Sequence, residues 1–187
     1  MITPIHTAHV ASSGLSLEDF ISDKPSTRAD QGGSRQTGPI EGVSVTPLSV
    51  NSDDRGALSE LLTTRDGPIE PIVHIYQVTA LAGSVRAWVY HQHQADRLAF
   101  CNGHFEIALY DIRPGSPTIN QLAVFRLGRA QPALLRIPTR VVHGVCNVGK
   151  ERSTFVNMPT RAYDHRAPDK CRLSYDDPRI PYRFDVS

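Results

Sequence analysis

Lysine is scarce in this chain. Lys24, Lys150 and Lys170 are the only three, arginine carries the remaining positive charge, and the formal net charge of the 187 residues is +1. So even a balance lacks the electrostatic footprint of a nucleic-acid binder. The preference for guanidinium suits forked recognition of phosphate or carboxylate, although a compositional bias of the genome gives the same excess. Cysteine is nearly absent too. Cys101, Cys146 and Cys171 are odd in number and lack metal-type spacing, which reads as reduced thiols in a cytoplasmic protein. No run approaches the roughly 18 apolar residues of a membrane span. No charged segment followed by an apolar one marks a secretory signal near Met1. Long helical periodicity is missing as well.

What is there is a series of short strands. A hydrophobic content of 40% supports a real core, and the length fits one domain with a tail. Residues 1–42 stand apart. Ser, Thr, Gly, Asp and Gln dominate from Ser22 to Gly38, a composition that buries too little apolar area to offset chain entropy. Within it, Leu15–Ile21 fits one short amphipathic helical turn. The region reads either as an extension packed on the domain or a neighbouring subunit, or as a disordered tail. Residues 43–187 form the domain proper. Alternation and β-branched content predict strands at Val43–Leu48, Ile72–Thr79, Val85–His93, Arg97–Cys101, Phe105–Asp111, Asn120–Leu127, Ala133–Ile137, Val141–Val148 and Ser153–Met158. Ala57–Leu62 is ambiguous between strand and helix. Asn102-Gly103 is a strong hairpin signal. Short strands at near-even spacing predict an all-β sandwich or barrel, with a jelly-roll favoured. The Pro-, Arg- and Asp-rich stretch after Pro159 reads as an irregular wrap around it.

Chemistry-bearing residues cluster between Gly83 and Asn147. His91 and His93 are two apart, so on one strand both side chains share a face. His143 follows Pro138 and precedes another apolar run. The three imidazoles fit a metal site, an acid/base site or a polar binding pocket. As a metal site, His91, His93, Asp96 and His143 would supply imidazole and carboxylate to a divalent ion, and this spacing resembles the two motifs of metal-binding cupins. Trp88 is placed either to stack on a ligand or to fill the core.

A second resemblance spans Asp54 to Pro178. It is carried by Asp54-Arg55-Gly56 with Glu60, by Gly83-x-x-Arg86, and by Asp111-x-Arg113-x-x-Ser116-Pro117-Thr118. Ile137-Pro138-x-x-x-x-His143-Gly144, Tyr163 and Asp176-Asp177-Pro178 complete it. Together these are similar to the dTDP-4-dehydrorhamnose 3,5-epimerase family of nucleotide-sugar cupins. The resemblance implies a cupin jelly-roll (a double-stranded β-helix), no cofactor, and a homodimer in which N-terminal strands cross between subunits. It implies arginines, here Arg55 and Arg86, on the substrate's diphosphate, and His143 in the sugar pocket. The family's proton-abstracting histidine falls on Val89, its tyrosine acid near Asn157 and its lysine near Asp96 or Arg97. The aspartate that partners the histidine belongs to a C-terminal segment this chain is expected to lack.

Three functions follow. The first is an isomerase acting on a dTDP-4-keto-6-deoxyhexose or related nucleotide sugar by proton transfer beside the ketone. His91, His143 and Tyr163 would then be catalytic, with Arg55, Arg86, Trp88, His93 and Arg97 binding substrate. The second is a non-catalytic sugar-binding or regulatory cupin. The third is a metal-dependent cupin enzyme.

Overall fold

The computed structural model describes residues 17–19 and 33–185. Thirteen strands run in chain order: β1 (Gln36–Thr37), β2 (Ser44–Pro47), β3 (Ser49–Asp53), β4 (Gly56–Glu60), β5 (Tyr76–Ala80), β6 (Val85–His91), β7 (Asp96–Phe100), β8 (His104–Asp111), β9 (Leu122–Gly128), β10 (Ala133–Ile137), β11 (Val141–Asn147), β12 (Ser153–Asn157) and β13 (Lys170–Arg172). They build a six-stranded sheet in the order β1-β2-β10-β7-β12-β5, a five-stranded sheet in the order β13-β6-β11-β8-β9, and a separate ribbon of β3 and β4. All pairings are antiparallel. This is the all-β jelly-roll architecture, closed by a C-terminal wrap.

The main core fills the space between the two large sheets. Phe100, Phe105 and Phe155 form an aromatic triangle with centroids 5.0–5.5 Å apart, surrounded by Ile107, Leu109, Leu135 and Ile137. Each large apolar side chain so buried contributes roughly 1.5–3 kcal/mol. Ile40 belongs to this core and β1 pairs with β2, so packed chain begins ahead of residue 43. Of the segment before it, a 3-10 turn at Leu17–Asp19 matches the short helical turn expected there. The readings on the rest of residues 1–32 lie outside the described residues.

A second core lies on the outer face of the five-stranded sheet. Trp88, Ala108 and Val142 are covered there by Ile180, Tyr182 and Phe184 of the wrap. The Trp88 indole stacks on Phe184 at 5.3 Å and donates to the Tyr175 carbonyl at 3.1 Å. A bulge places Trp88 on this face. Val89 pairs with His143 and Arg86 with Val145, so Ala87 and Trp88 together oppose the single residue Gly144. A Cβ on Gly144 would stand 2.6 Å from that of Ala87, which is why glycine occupies the position.

The structure departs from the predicted strands in three places. β5 starts at Tyr76, not Ile72. Ile72, Val73 and Ile75 are exposed, and they follow Pro71 without a neighbouring strand to satisfy their β-propensity. β6 stops at His91, because the backbone then turns to give the amides of His93 and Gln94 to Asp169. Asn102-Gly103 does form a tight turn, with Gly103 at φ +65°. It links β7 and β8, which lie in different sheets, so it is a sheet-to-sheet crossing and not a hairpin.

The Asp-x-Arg-x-x-Ser-Pro-Thr string is a structural clamp. Asp111, fully buried, accepts from the Arg113 side chain (2.9 and 2.8 Å) and backbone (3.0 Å), from Ser116 Oγ (2.6 Å) and from Thr118 Oγ1 (2.7 Å). Arg113 and Thr118 also bond the backbone of Glu41, tying the β8–β9 connection to the chain entering β2. The Arg113 guanidinium foremost, helped by Ser116, the Arg113 amide and Thr118, holds the Asp111 carboxyl well below its ordinary range against the opposing effect of burial. A depressed folded-state value stabilises the fold above the unfolded carboxylate range, and that contribution is lost as pH falls through the folded value. Asp111→Ala should therefore cost on the order of 3 kcal/mol at neutral pH. In urea denaturation the gap to wild type should narrow once the pH drops below about 4.

Candidate active site

Strand alternation and the β6 bulge together aim polar side chains into one end of the interior. Asp96 shares the inward face of β7 with Leu98 and Phe100, and Asn157 that of β12 with Phe155. His143 lies between Val141 and Val145 on the inward face of β11. With Val89 in phase with His143, His91 projects to the same interior two residues on. Tyr76 of β5 stands directly opposite Asn157.

Asp96 is the hub. It is 3% exposed, between His91 at 6% and His143 at 5%, and a carboxylate so buried must be satisfied by donors. Its Oδ1 accepts from the side-chain amides of Gln94 (2.8 Å) and Asn157 (3.1 Å). Its Oδ2 faces Nε2 of His91 at 3.4 Å and Nε2 of His143 at 3.5 Å. Burial pushes the Asp96 carboxyl up, but hydrogen bonds from His143 and His91, and then their charge, outweigh it and hold the group well below the ordinary range. Asp96 is thus an ionised, acceptor-only group.

This fixes the ring orientations. His143 Nδ1 donates to the Val141 carbonyl at 3.1 Å. His91 Nε2 faces Asp96 at 3.4 Å and is also approached by the Gln94 side-chain amide at 3.4 Å. In the neutral tautomer that donates from Nε2 to Asp96, Nδ1 is free to accept a proton, and this buried atom has no hydrogen-bond partner. Asp169 Oδ2 stands 3.8 Å from it. Asp169 is held by the backbone amides of His93 (3.1 and 3.2 Å) and Gln94 (3.0 Å). A base flanked by a carboxylate stabilises the proton it takes up. The segment after the barrel strands thus places a carboxylate beside His91.

Lys170 pairs with His91 across β13 and β6, so its side chain leaves the sheet on the same face. It makes no hydrogen bond or ion pair among the described residues. Burial foremost, then Arg172, lowers its pKa, while Asp96 opposes this. Arg86 shares the face of Val145, is exposed, and donates to the Thr79 carbonyl at 3.2 Å.

Other predicted site residues are not gathered here. His93 is exposed beyond the end of β6 and shares no face with His91, which removes it from the metal set as well. Trp88 is a core residue of the outer face, its ring covered by Phe184. Arg97 follows Asp96 on β7 and so points the other way. It donates to the carbonyls of Met158 (2.6 Å), Glu70 (2.8 Å) and Pro71 (3.2 Å) and lines, with Arg136 and Leu134, a cavity of about 560 Å³ on the far side of the six-stranded sheet. Tyr163 is half exposed, its ring edge-on to His165 at 4.7 Å, with no bond to the histidine cluster. Arg55 sits at the tip of the β3–β4 ribbon, paired with Asp53 at 2.5 Å. Sequence reasoning missed Asp169, Lys170 and Gln94 around His91, and Tyr76 beside Asn157. A lysine in so lysine-poor a chain was the one signal available for any of them.

His91, Asp96 and His143 could also converge on a metal ion, since one ligand atom from each lies within 4.8 Å of the others. Two imidazoles and a carboxylate suit a divalent transition metal, which would supply Lewis-acid chemistry. Against that fit, both Asp96 oxygens already face protein donors.

The dTDP-4-dehydrorhamnose 3,5-epimerase family model matches residues 37–187. The spore coat polysaccharide biosynthesis protein SpsL of Bacillus subtilis (strain 168) is 33% identical over 147 residues, 79% of this chain and 97% of that protein. The probable low-salt glycan biosynthesis epimerase Agl13 of Haloferax volcanii is 38% identical over 142 residues, 73% of this chain and 89% of that protein. Among solved structures, the dTDP sugar isomerase of Desulfovibrio desulfuricans G20 superposes with a TM-score of 0.72 at 28% identity, covering 77% of this chain and 91% of that one.

Asp96→Asn replaces an acceptor-only hub with a group that must also donate. Urea denaturation should show a loss of about 3 kcal/mol, as for breaking a buried ion pair. A loss below about 0.5 kcal/mol, typical of an uninvolved surface site, would show that the imidazoles do not rely on this carboxylate.

Proposed function

The chain belongs to the dTDP-4-dehydrorhamnose 3,5-epimerase family, and from that premise we propose that it epimerises a keto nucleotide sugar with His91 as the base. The substrate class is a dTDP-4-keto-6-deoxyhexose or a close relative, destined for a surface polysaccharide or related glycan. The observation that carries this reading is the buried, unpartnered Nδ1 of His91, with Asp96 on the other ring nitrogen and Asp169 beside it.

The chemistry follows from the groups present. A hydrogen on the carbon next to a ketone is acidic because the electron pair left behind delocalises onto the ketone oxygen. His91 Nδ1 accepts the proton, and Asp96 and Asp169 stabilise the imidazolium from both sides. Charge then builds on the enolate oxygen, which needs a cation or donor. Lys170, on the same face as His91 and without a protein partner, meets that need. Arg86 serves the diphosphate. Among the described residues, Arg55 contacts Asp53 of its own ribbon and not the histidine cluster. It rides on a ribbon bonded to neither large sheet, whose Val50 and Leu58 are exposed. We infer that this ribbon docks on a second copy in a cytoplasmic homodimer and delivers Arg55 there. Among the described residues no helix is long and apolar enough to cross a membrane.

The test is proton NMR of dTDP-4-keto-6-deoxyglucose incubated with the protein in deuterated water. Deuterium should enter beside the ketone with wild type. His91→Ala should abolish this while nucleotide-sugar affinity stays nearly intact; undiminished exchange by His91→Ala would remove His91 from the role. Absence of exchange by wild type across keto nucleotide sugars would leave the sugar-binding reading. The convergence of His91, Asp96 and His143 favours a metal-dependent cupin as the second reading. Elemental analysis of the purified protein decides it: less than one metal per five chains is expected, and a stoichiometric transition metal would replace the epimerase reading.

A further inference from the structure

Epimerisation requires a proton to leave one face of a carbon and another to arrive on the opposite face. His91 and His143 cannot divide that work between them. Both project from the five-stranded sheet, on the adjacent strands β6 and β11, with their rings at 29° and 6.0 Å apart. The second group must therefore come from the six-stranded sheet across the interior. At this end that sheet offers Asp96 on β7, Asn157 on β12 and Tyr76 on β5. Asp96 is ionised and has no proton to give, and a carboxamide does not give one near neutral pH. Tyr76 is what remains.

The hydrogen bonds show where its proton is. Asp96 only accepts, so Asn157 must turn its amine toward it, at 3.1 Å. The same amine reaches the Tyr76 hydroxyl oxygen at 2.8 Å. The phenol oxygen is thereby an acceptor, and its own proton has no acceptor among the described residues. Asn157, 3% exposed, is left with its carbonyl oxygen unpartnered. A hydroxyl with an uncommitted proton and a buried carbonyl without a donor lie side by side, one hydrogen bond from the carboxylate that both histidines face.

We propose that Tyr76 is the proton donor on the face opposite His91 and that the Asn157 carbonyl accepts a hydroxyl of the sugar. This rests on the epimerase reading and extends it. His91 Nδ1 takes the proton as the C–H bond breaks, and the electron pair moves onto the ketone oxygen. The enolate collapses, its carbon forms a new C–H bond with the Tyr76 proton on the other face, and the ketone is restored. The phenolate left behind regains its proton from solvent as the imidazolium of His91 releases one. Burial, and then the charge of Asp96, raise the Tyr76 pKa, so the resting phenol is protonated.

The experiment follows deuterium and stereochemistry together. With dTDP-4-keto-6-deoxyglucose in deuterated water, wild type should give an epimer labelled at the inverted carbon. Tyr76→Phe, which keeps the ring and its packing, should still wash deuterium into the substrate with retained configuration, while epimer formation falls on the order of 100-fold or more. Unchanged thymidine diphosphate affinity and thermal midpoint would show that Tyr76→Phe is folded. Asn157→Asp should raise KM more than it lowers kcat. Epimer formation by folded Tyr76→Phe at the wild-type rate would overturn the assignment and leave His91 in place. A wild type that exchanges nothing would overturn the epimerase reading, and this assignment with it.

Discussion

One residue of slippage between β6 and β11 shapes most of this molecule. Because Ala87 and Trp88 oppose Gly144 alone, Arg86 and Val89, three apart in sequence, share one face of the sheet. Trp88 is turned outward and becomes the floor on which Tyr182 and Phe184 settle. The chain leading to that floor also adds β13 to the free edge of β6. In doing so it carries Asp169 and Lys170 to His91. A regular strand pair would have broken both arrangements, since every side chain beyond the shift would change face.

Within that frame, a single buried carboxylate organises the polar end of the interior. Asp96 is contacted by two imidazoles from one sheet and two amides held on the other side. Val89 stands at the position where the family resemblance expects a base, and His91 lies two residues further along the same face. On an extended strand that is a displacement of about 7 Å. The groups met by His91 are Asp96, Gln94 and Asp169, with Lys170 on the same face of the sheet.

The strands were legible because alternation and β-branched residues report a half-buried pleat directly, and β8, β10, β11 and β12 fall close to where the pattern predicts them. His91 and His143 were legible as strand-borne imidazoles, the second shortly after Pro138. The pairing of strands was not. Asn102-Gly103 announces a turn, but nothing local says that the next strand joins the other sheet. Trp88 shows the same limit, because its face depends on a register shift set by Gly144 more than fifty residues away. Arg97, placed in the site by its match to the family's lysine, points away from it because a period of two sends neighbours to opposite sides. Asp169 and Lys170 stay hidden because they reach His91 through folding across nearly 80 positions, and Tyr76 because it joins the cluster only through Asn157.

The C-terminal wrap has a consequence for how the protein comes into being. A ribosome that has delivered the chain through β12 has supplied every strand of the six-stranded sheet and the core between the sheets. It has not yet supplied Asp169, Lys170, or the aromatic cover over Trp88. During synthesis the barrel can close before its reactive end is finished. The last part of the message thus acts as a delayed switch on competence, and translation halted just after Asn157 would release a shell with an unfinished interior.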